Sequence, residues 1–262
     1  MVQPIKSFTK EQLQVRIFVT TKEVGYASAD FVAKNLQSVI QAKGTANLIL
    51  ATGASQFSFL DALKKQSVDW NKITVFHLDE YIGISDQHPA SFRKYLKERI
   101  LDVVKPSKIY FLNGDAPDPD EEAKRYGELL LAHPTDVACI GIGENGHIAF
   151  NDPAVADFND PLRVKVVYLD HACRMQQLGE GWFPTFEDVP KQALSLTIPS
   201  ILRSKVISCV VPDERKSQAV YDTLFGKIST SCPASILRTH PDAVLFLDSG
   251  SASKFNVKDL IK

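Results

Sequence analysis

The amino-acid sequence predicts an α/β fold, in which a mostly parallel, doubly wound sheet is covered by helices on both faces. Short apolar runs, rich in β-branched and aromatic residues, alternate along the chain with longer amphipathic stretches of helical period. Continuously apolar strands are typical of sheets that are buried on both sides. No internal repeat, low-complexity tract or linker divides the 262 residues. We therefore expect a single domain over residues 1–262.

Eight apolar runs are predicted to be strands. They are VRIFVT at 15–20, NLILAT at 47–52, ITVFHL at 73–78, KIYFLN at 108–113, VACIGIG at 137–143, VKVVYL at 164–169, KVISCVVP at 205–212 and AVLFLD at 243–248. The amphipathic stretches predicted to be helices are 24–40, 57–65, 90–104, 120–131 and 215–225. The alternation stops over residues 154–192, which hold two glycines and three prolines. A long irregular insertion in an α/β domain is usually functional, so this segment is predicted to be a lid.

Composition excludes several classes of partner. The formal net charge of −1 gives no general attraction to nucleic acid or to anionic lipid. No apolar run is long enough to cross a bilayer, and the first residues lack the features of a secretory signal. The four cysteines are scattered without a C-x-x-C pair, which predicts neither a disulfide framework nor a structural zinc site. We expect a cytoplasmic protein.

The turn after the second predicted strand is a candidate anion site. Ligands of open α/β sheets bind outside the carboxyl ends of the strands, so the residues there are examined first. Thr52, Gly53, Ala54 and Ser55 make a turn of small residues before a helix. Backbone N–H groups in such a turn can approach an anion closely. The alternative is an ordinary connection with Ser55 as the helix N-cap.

Two adjacent carboxylates follow the third predicted strand. Asp79 and Glu80 stand on an extended chain, where neighbouring side chains point in opposite directions. At most one of them is expected to face a pocket, and the other must find a hydrogen-bond partner or solvent. A carboxylate in a partly dry cleft can act as a base. A solvated loop acid or a helix cap is the alternative.

The stretch GIGENG at 141–146 has the G-x-G-x-x-G spacing of a dinucleotide-binding turn. In such a turn the third glycine begins a long helix, and an acidic residue about twenty positions later holds the ribose. Here only six residues separate Gly146 from Pro153, and proline would stop or kink that helix. A dinucleotide site is therefore disfavoured, and no cofactor is predicted.

The residues after this turn favour a proton-transfer site. His147 follows the glycines, with Asn145 and Asp152 close in sequence. A histidine beside a carboxylate is a candidate proton shuttle, because its unperturbed pKa is about 6.5. At a fourth strand end, Lys216 begins a helix and is a candidate to close over an anion. A structural histidine and a solvated surface lysine are the alternatives.

Five stretches resemble the glucosamine-6-phosphate deaminase (isomerase) family over about residues 15 to 250. They are LATGAS at 50–55, FHLDEYIG at 76–83 with HPASFRKYL at 88–96, GIGENGHIAFNDP at 141–153, VPKQALSLTIPSIL at 189–202 and PASILRTHPDAVLFLD at 233–248. The related 6-phosphogluconolactonases share the fold but usually carry D-E-R where this chain has D-E-Y. They also carry G-H-T-A-S-L-F-P where it has GHIAFNDP. Both differences favour the deaminase branch.

The resemblance implies a modified Rossmann-like sheet that binds no nucleotide, and a reaction that needs neither a metal nor an organic cofactor. Glucosamine 6-phosphate and water would give fructose 6-phosphate and ammonia. Asp79 would move a proton between C2 and C1, and His147 would open the sugar ring. The phosphate would be held by Thr52, Gly53, Ala54, Ser55 and Lys216.

The chain departs from the family pattern in three places. Asn145 stands where the family usually has Asp, and Asp152 where it usually has Glu. An amide can orient His147 but cannot stabilise an imidazolium as a carboxylate does. Where the family's lid usually has a phosphate-binding Arg, this chain has CRMQQLGEGWF, so Arg174 and Gln177 are candidate lid contacts.

These departures leave the substrate open. Another hexosamine 6-phosphate, such as galactosamine 6-phosphate, is one alternative. A 6-phosphogluconolactonase or a non-catalytic sugar-phosphate-binding protein is another, although a non-catalytic protein would be expected to lose Asp79 or His147. A homo-oligomer and allosteric activation also stay open.

Overall fold

The computed structural model describes residues 2–255 and contains two β-sheets. The strands are β1 (Lys6–Lys10), β2 (Leu13–Phe18), β3 (Ala46–Leu50), β4 (Ile73–His77), β5 (Asp79–Tyr81), β6 (Lys108–Ile109), β7 (Val137–Ile140), β8 (Val164–Tyr168), β9 (Gln192–Leu196), β10 (Val206–Val211) and β11 (Ala243–Asp248). The helices are α1 (Thr21–Lys43), α2 (Phe57–Leu63), α3 (Phe92–Leu96), α4 (Asp102–Val104), α5 (Pro119–Ala132), α6 (His171–Gly179), α7 (Ile198–Leu202) and α8 (Ser217–Phe225). One π-helical turn, Lys97–Leu101, joins α3 to α4.

The larger sheet has eight strands in the order β1-β2-β11-β10-β7-β3-β4-β6. Its neighbours pair in parallel, except for the antiparallel edge strand β1. The buried faces of the sheet are apolar on both sides, as helix-covered parallel strands require. The predicted α/β class with a mostly parallel sheet is confirmed.

The chain changes its winding direction between β3 and β7. From β3 it proceeds outward to β4 and β6, then returns to β7 on the other side of β3 and continues to β10 and β11. The crevice outside this switch point is the preferred ligand site of such sheets. Because β10, β7, β3 and β4 are consecutive neighbours, the four strand ends singled out in the sequence meet at one edge.

A second, three-stranded antiparallel sheet was not predicted. Its order is β5-β9-β8, and it contains the run at 164–169, which was wrongly assigned to the parallel sheet. The strands β1, β5 and β9 are also additions. They were missed because they are short or alternate with polar residues, and β5 is the tripeptide DEY.

The segment 154–192 is more regular than the sequence suggested. It contains β8 and α6, and most of its glycines and prolines lie at or beyond the ends of these elements. Pro161 precedes β8, and Gly179 is the last residue of α6. The strand at 164–169 was predicted and α6 was not, and the rest of the segment consists of turns and bends, so the expectation of an irregular insertion holds only for that remainder.

Helix α1 illustrates how local signals and packing agree. Thr20 caps it in a capping box with Glu23, and Gly44 ends it in the left-handed conformation. Its buried face includes Val32 and Leu36, which pack in the core against the parallel sheet. No helix in residues 2–255 is both long and apolar enough to cross a membrane.

Candidate active site

A cavity of about 200 Å³ opens at the carboxyl ends of β10, β7, β3 and β4, with α6 along one side. The structure brings most of the predicted site residues to its wall. They are Thr52, Gly53, Ala54, Ser55, Asp79, His147, Gln177 and Lys216. Asn145 and Asp152 contact His147 from outside the cavity lining, and Arg174 lies elsewhere. The four strand ends therefore form one site.

The turn at residues 52–55 forms one end of the cavity. Gly53 has φ +93°, a conformation that favours glycine, and a short 3₁₀ turn begins at Ala54. The hydroxyl of Tyr95 donates a 2.8 Å hydrogen bond to the Gly53 carbonyl and fixes the turn. Neither Ser55 nor its neighbours make a side-chain helix cap, so the alternative assignment of Ser55 as an N-cap fails. The serine hydroxyl instead accepts from Gln56 Nε2 at 3.0 Å.

Lys216 faces the same end of the cavity. Its side chain is buried, with the residue 6% exposed, and burial lowers its pKa from the ordinary value, while the carboxylates of Glu180 and Glu144 oppose this shift. The alternative of a solvated surface lysine is therefore wrong. Nearby Asp213 has φ +86°, a strained conformation for a residue other than glycine, as found at functional sites.

Asp79 stands on the short strand β5, lines the cavity and is 8% exposed. Burial, together with the charge of Glu80, raises its pKa to about 8. A carboxyl group with such a pKa exists in both protonation states near neutral pH. A group that first removes a proton and later returns it needs this property.

Glu80 points away from the cavity, as the alternation along a strand predicts. Its carboxylate accepts hydrogen bonds from the hydroxyl of Ser91, the backbone N–H groups of Phe92 and Arg93, and Arg93 Nε. The side chain is fully buried and ion-paired with Arg93 at 3.2 Å. Glu80 thus anchors the strand that presents Asp79.

The glycines of the GIGENG stretch make a seat for His147. A Cβ on Gly143 would lie 2.2 Å from His147 Nε2, so only glycine lets the imidazole pack there. Gly146 has φ +83°, and the Gly143 N–H closes the loop by donating to the His147 carbonyl at 2.9 Å. The glycines therefore leave room for the His147 side chain, and the resemblance of their spacing to a nucleotide-binding turn is incidental.

The carboxylate beside the imidazole is Asp152. His147 Nδ1 lies 2.7 Å from Asp152 Oδ1, although Nδ1 makes no well-aligned hydrogen bond. Burial would raise the pKa of Asp152, but His147 and the Asn145 amide outweigh it and hold that pKa below its usual value. An ionised Asp152 can stabilise an imidazolium on His147.

Asn145 holds His147 through its backbone and not through its ring. Its amide does not touch the imidazole: Oδ1 accepts from the His147 backbone N–H at 3.0 Å, and Nδ2 donates to Asp152 Oδ1 at 3.0 Å. Asn145 therefore positions both members of the His147–Asp152 pair. The absence of a carboxylate at position 145 does not leave the histidine without one.

The lid contacts divide between the two residues proposed. Gln177 lines the cavity, and its Oε1 accepts from the Tyr81 hydroxyl at 2.6 Å. The guanidinium of Arg174 donates to the carbonyls of Phe186 and Val189 and stacks on the Phe186 ring at 4.0 Å. These contacts hold Arg174 outside the cavity, because carbonyl groups of the loop after α6 bind its guanidinium group.

Two other lid residues reach the site without having been predicted. Gln176 Oε1 accepts from the Glu144 backbone N–H at 3.1 Å, which joins α6 to the GIGENG loop. Glu180 lines the cavity, and its oxygens accept from Gln176 Nε2 and Trp182 Nε1 at 2.9 and 3.1 Å. The end of α6 thus brings a carboxylate to the cavity, where the sequence resemblance implies an arginine.

Comparison with known proteins identifies the family. A family model described as glucosamine-6-phosphate isomerases/6-phosphogluconolactonase matches residues 20–246. The chain belongs to this family. The glucosamine-6-phosphate deaminase of Streptococcus pyogenes serotype M3 is 36% identical over 215 residues, covering 82% of this chain and 90% of the relative. That of Listeria monocytogenes serotype 4a is 37% identical over 204 residues, covering 78% and 85%.

Solved structures of the glucosamine-6-phosphate isomerase/6-phosphogluconolactonase family have the same fold. A monomeric glucosamine-6-phosphate deaminase superposes with a TM-score of 0.83 and 32% identity, covering 91% of this chain and 98% of that one. A 6-phosphogluconolactonase from Shewanella baltica gives a TM-score of 0.76 at 19% identity, covering 92% and 100%, and shows the fold alone. The protein is an enzyme of this family.

Proposed function

We propose that this enzyme converts glucosamine 6-phosphate and water to fructose 6-phosphate and ammonia. The observation that carries the proposal is Asp79, a buried carboxyl with a pKa of about 8 that faces the same cavity as His147 and the 52–55 turn. A base, a proton shuttle and an anion cradle are the three parts that an aldose–ketose rearrangement of a sugar phosphate requires. The named deaminase relatives at 36% and 37% identity support this choice.

Binding begins at the phosphate end. The backbone of the 52–55 turn and the ammonium group of Lys216 hold the phosphate, whose remote binding energy positions the sugar against Asp79 and His147. His147 then delivers a proton to the ring oxygen while the anomeric hydroxyl loses its own proton to solvent, so that the ring opens to an aldehyde. Asp152 stabilises the charged state of the imidazole.

The rearrangement follows on the open chain. Ionised Asp79 removes the proton from C2 while O1 takes a proton from solvent, which leaves an enolamine, and Asp79 then returns its proton to C1, which gives a protonated imine at C2. Water adds to the imine carbon, and ammonia leaves as the C2 ketone forms. Every step is a proton transfer or a hydration, which the groups in the cavity and solvent supply.

The sugar epimer is the principal alternative substrate. Asn145 differs from the residue usual in the family, and galactosamine-6-phosphate deaminases resemble this chain at that position. Ammonia release should be measured with glucosamine, galactosamine and mannosamine 6-phosphates, beside hydrolysis of 6-phosphogluconolactone. We expect the highest kcat/KM with glucosamine 6-phosphate. A preference for the galacto epimer would correct the substrate, and lactone hydrolysis alone would reject the proposed reaction.

Replacing Lys216 with Met should weaken phosphate binding. A charge-assisted hydrogen bond contributes about 1.5–3 kcal/mol, so KM should rise about ten- to a hundredfold with a smaller change in kcat. Inhibition by inorganic phosphate should weaken in parallel. Lys227→Met, at an exposed lysine outside the cavity lining, is the matched control. An unchanged KM in Lys216→Met would remove Lys216 from the phosphate site.

Replacing Glu180 with Gln should strengthen phosphate binding. Glu180 places a negative charge near Lys216 and the 52–55 turn, where an anion must enter. Glutamine removes this repulsion while keeping an oxygen for the Trp182 indole. We expect KM to fall several-fold, by an effect on the order of 1 kcal/mol, and to respond less to salt. A raised KM would indicate that Glu180 contributes a favourable contact to the substrate.

A further inference from the structure

A third potential ligand atom stands beside the His147–Asp152 pair. Cys173 extends from α6 and is buried, with its Sγ, a ring nitrogen of His147 and an Asp152 carboxylate oxygen all within 4.8 Å of one another. The three residues come from two segments, the lid helix and the loop after β7. The proton-transfer chemistry proposed above makes no use of the thiol.

One polar atom in this cluster has unmet hydrogen-bonding capacity. Asp152 Oδ1 lies 2.7 Å from His147 Nδ1 and accepts from Asn145 Nδ2 at 3.0 Å, whereas Oδ2 is buried without a well-aligned hydrogen-bond partner in residues 2–255. Asp152 is fully buried, and His147 is more than nine-tenths buried. Because buried polar atoms are nearly always satisfied in folded proteins, Oδ2 indicates that the Asp152 carboxylate can take a further ligand.

We propose that His147 Nδ1, Asp152 and Cys173 Sγ bind a zinc-class divalent cation, and that the bound ion inhibits the enzyme. Thiolate and imidazole ligands select zinc and its borderline or soft relatives, whereas magnesium and calcium prefer oxygen ligands alone. On binding, the Cys173 thiol loses its proton to solvent. The thiolate and the Asp152 carboxylate then balance the two positive charges of the ion, with no change of oxidation state.

The distances suit such an ion after small side-chain rotations. Bonds of about 2.0–2.3 Å in a tetrahedral arrangement place the donor atoms roughly 3.5 Å apart. The distance between Nδ1 and Oδ1 must therefore increase from 2.7 Å by less than about 1 Å. The sulfur atom, which lies within 4.8 Å of the other two donor atoms, must stay at its present distance or move slightly closer.

Occupation would have two consequences. An ion on Nδ1 prevents His147 from carrying the extra proton that ring opening needs, a consequence that rests on the proposed function. The ion would also tie α6 to the loop of residues 145–152 and hold the lid against the site. Ion binding itself does not depend on which sugar the enzyme uses.

Cobalt(II) is the probe for binding, because a thiolate ligand gives Co²⁺ a charge-transfer absorption in the near ultraviolet. Titration of the full chain should produce this band with one ion bound per chain, and Zn²⁺ should displace it. Cys173→Ser should abolish the band. Cys232→Ser should keep it, since this buried thiol lies at 3.6 Å from the Thr223 hydroxyl and belongs to no such cluster within residues 2–255.

Activity provides the second readout. Zn²⁺ should inhibit ammonia release by the wild type and by Cys232→Ser, with at least tenfold weaker inhibition of Cys173→Ser. If Cys173→Ser is unstable, Asp152→Asn serves for the absorption measurement and should weaken Co²⁺ binding at least tenfold. A missing band, or a band unchanged in both Cys173→Ser and Asp152→Asn, would overturn the site. Zinc that binds without inhibiting an active enzyme would overturn the inhibitory role, whereas a cobalt band in a chain that deaminates no sugar would reject only the proposed function.

Discussion

Replacing Asp79 with Asn is expected to lower kcat for ammonia release from glucosamine 6-phosphate by about 10²- to 10⁴-fold, the usual contribution of a positioned general base. Asparagine has nearly the same shape but cannot accept the C2 proton. Binding of an open-chain reduced analogue of the substrate, measured by calorimetry, should change by less than about threefold, because the proposed phosphate contacts are residues 52–55 and Lys216, which also line the cavity.

The pH dependence should change with the same substitution. The base is the ionised carboxyl, and the pKa of Asp79 is raised to about 8 by burial and by Glu80. In the wild type kcat/KM should therefore rise with pH up to about 8 and level off above it, since this parameter reports the free enzyme. Residual activity of Asp79→Asn should lack this rise. Asp69→Asn, at an exposed position outside the cavity lining, is the control and should keep the wild-type profile.

Undiminished ammonia release by Asp79→Asn would remove Asp79 from the role of base. Loss of both activity and analogue binding would instead assign it to substrate binding. Only loss of turnover with retained binding supports the assignment made here.

The second large effect is expected from His147→Gln, which should also lower kcat by about 10²- to 10⁴-fold. Glutamine can fill part of the space above Gly143 but cannot carry a proton between the ring oxygen and solvent. The variant can still bind the small fraction of substrate whose ring opens spontaneously in solution. Its residual rate should therefore follow the concentration of open-chain sugar, which rises with temperature independently of the enzyme.

Asp152→Asn tests the contribution of the Asp152 charge separately from that of the His147 imidazole. It should fall between the wild type and His147→Gln, because His147 remains while the charge 2.7 Å from Nδ1 is lost. A His147→Gln variant with wild-type kcat would show that the ring opens without this histidine. Wild-type activity in Asp152→Asn would show that the carboxylate has a structural role only.

The parallel sheet could be predicted because its strands carry their signal locally. Runs such as ITVFHL and KVISCVVP are apolar throughout, since helices cover both faces of the sheet. The small antiparallel sheet has no such signal. The strand DEY exists because Glu80 is satisfied by Ser91 and Arg93 from a later helix, an arrangement that becomes visible only in three dimensions.

The site could be predicted at the strand ends but not at the lid. Asp79, His147 and Lys216 follow apolar strands directly, so the topology rule places them together without knowledge of their contacts. The lid carries no comparable signal: Arg174 was an attractive candidate by charge, yet backbone carbonyls hold it away, while Glu180 reaches the cavity. Asn145 and Asp152 were both candidates to act on His147, and only the three-dimensional contacts show that Asp152 lies beside the ring while Asn145 binds the His147 backbone and the Asp152 carboxylate.

The central claim is that this cavity couples isomerisation of an amino-sugar phosphate to loss of its amine. The most direct measurement incubates the purified full-length chain with glucosamine 6-phosphate and follows ammonia and ketohexose 6-phosphate together. The account predicts that both form at equal rates, in a one-to-one ratio, without added cofactor. Ketose without ammonia, or no ammonia from any hexosamine 6-phosphate, would contradict it.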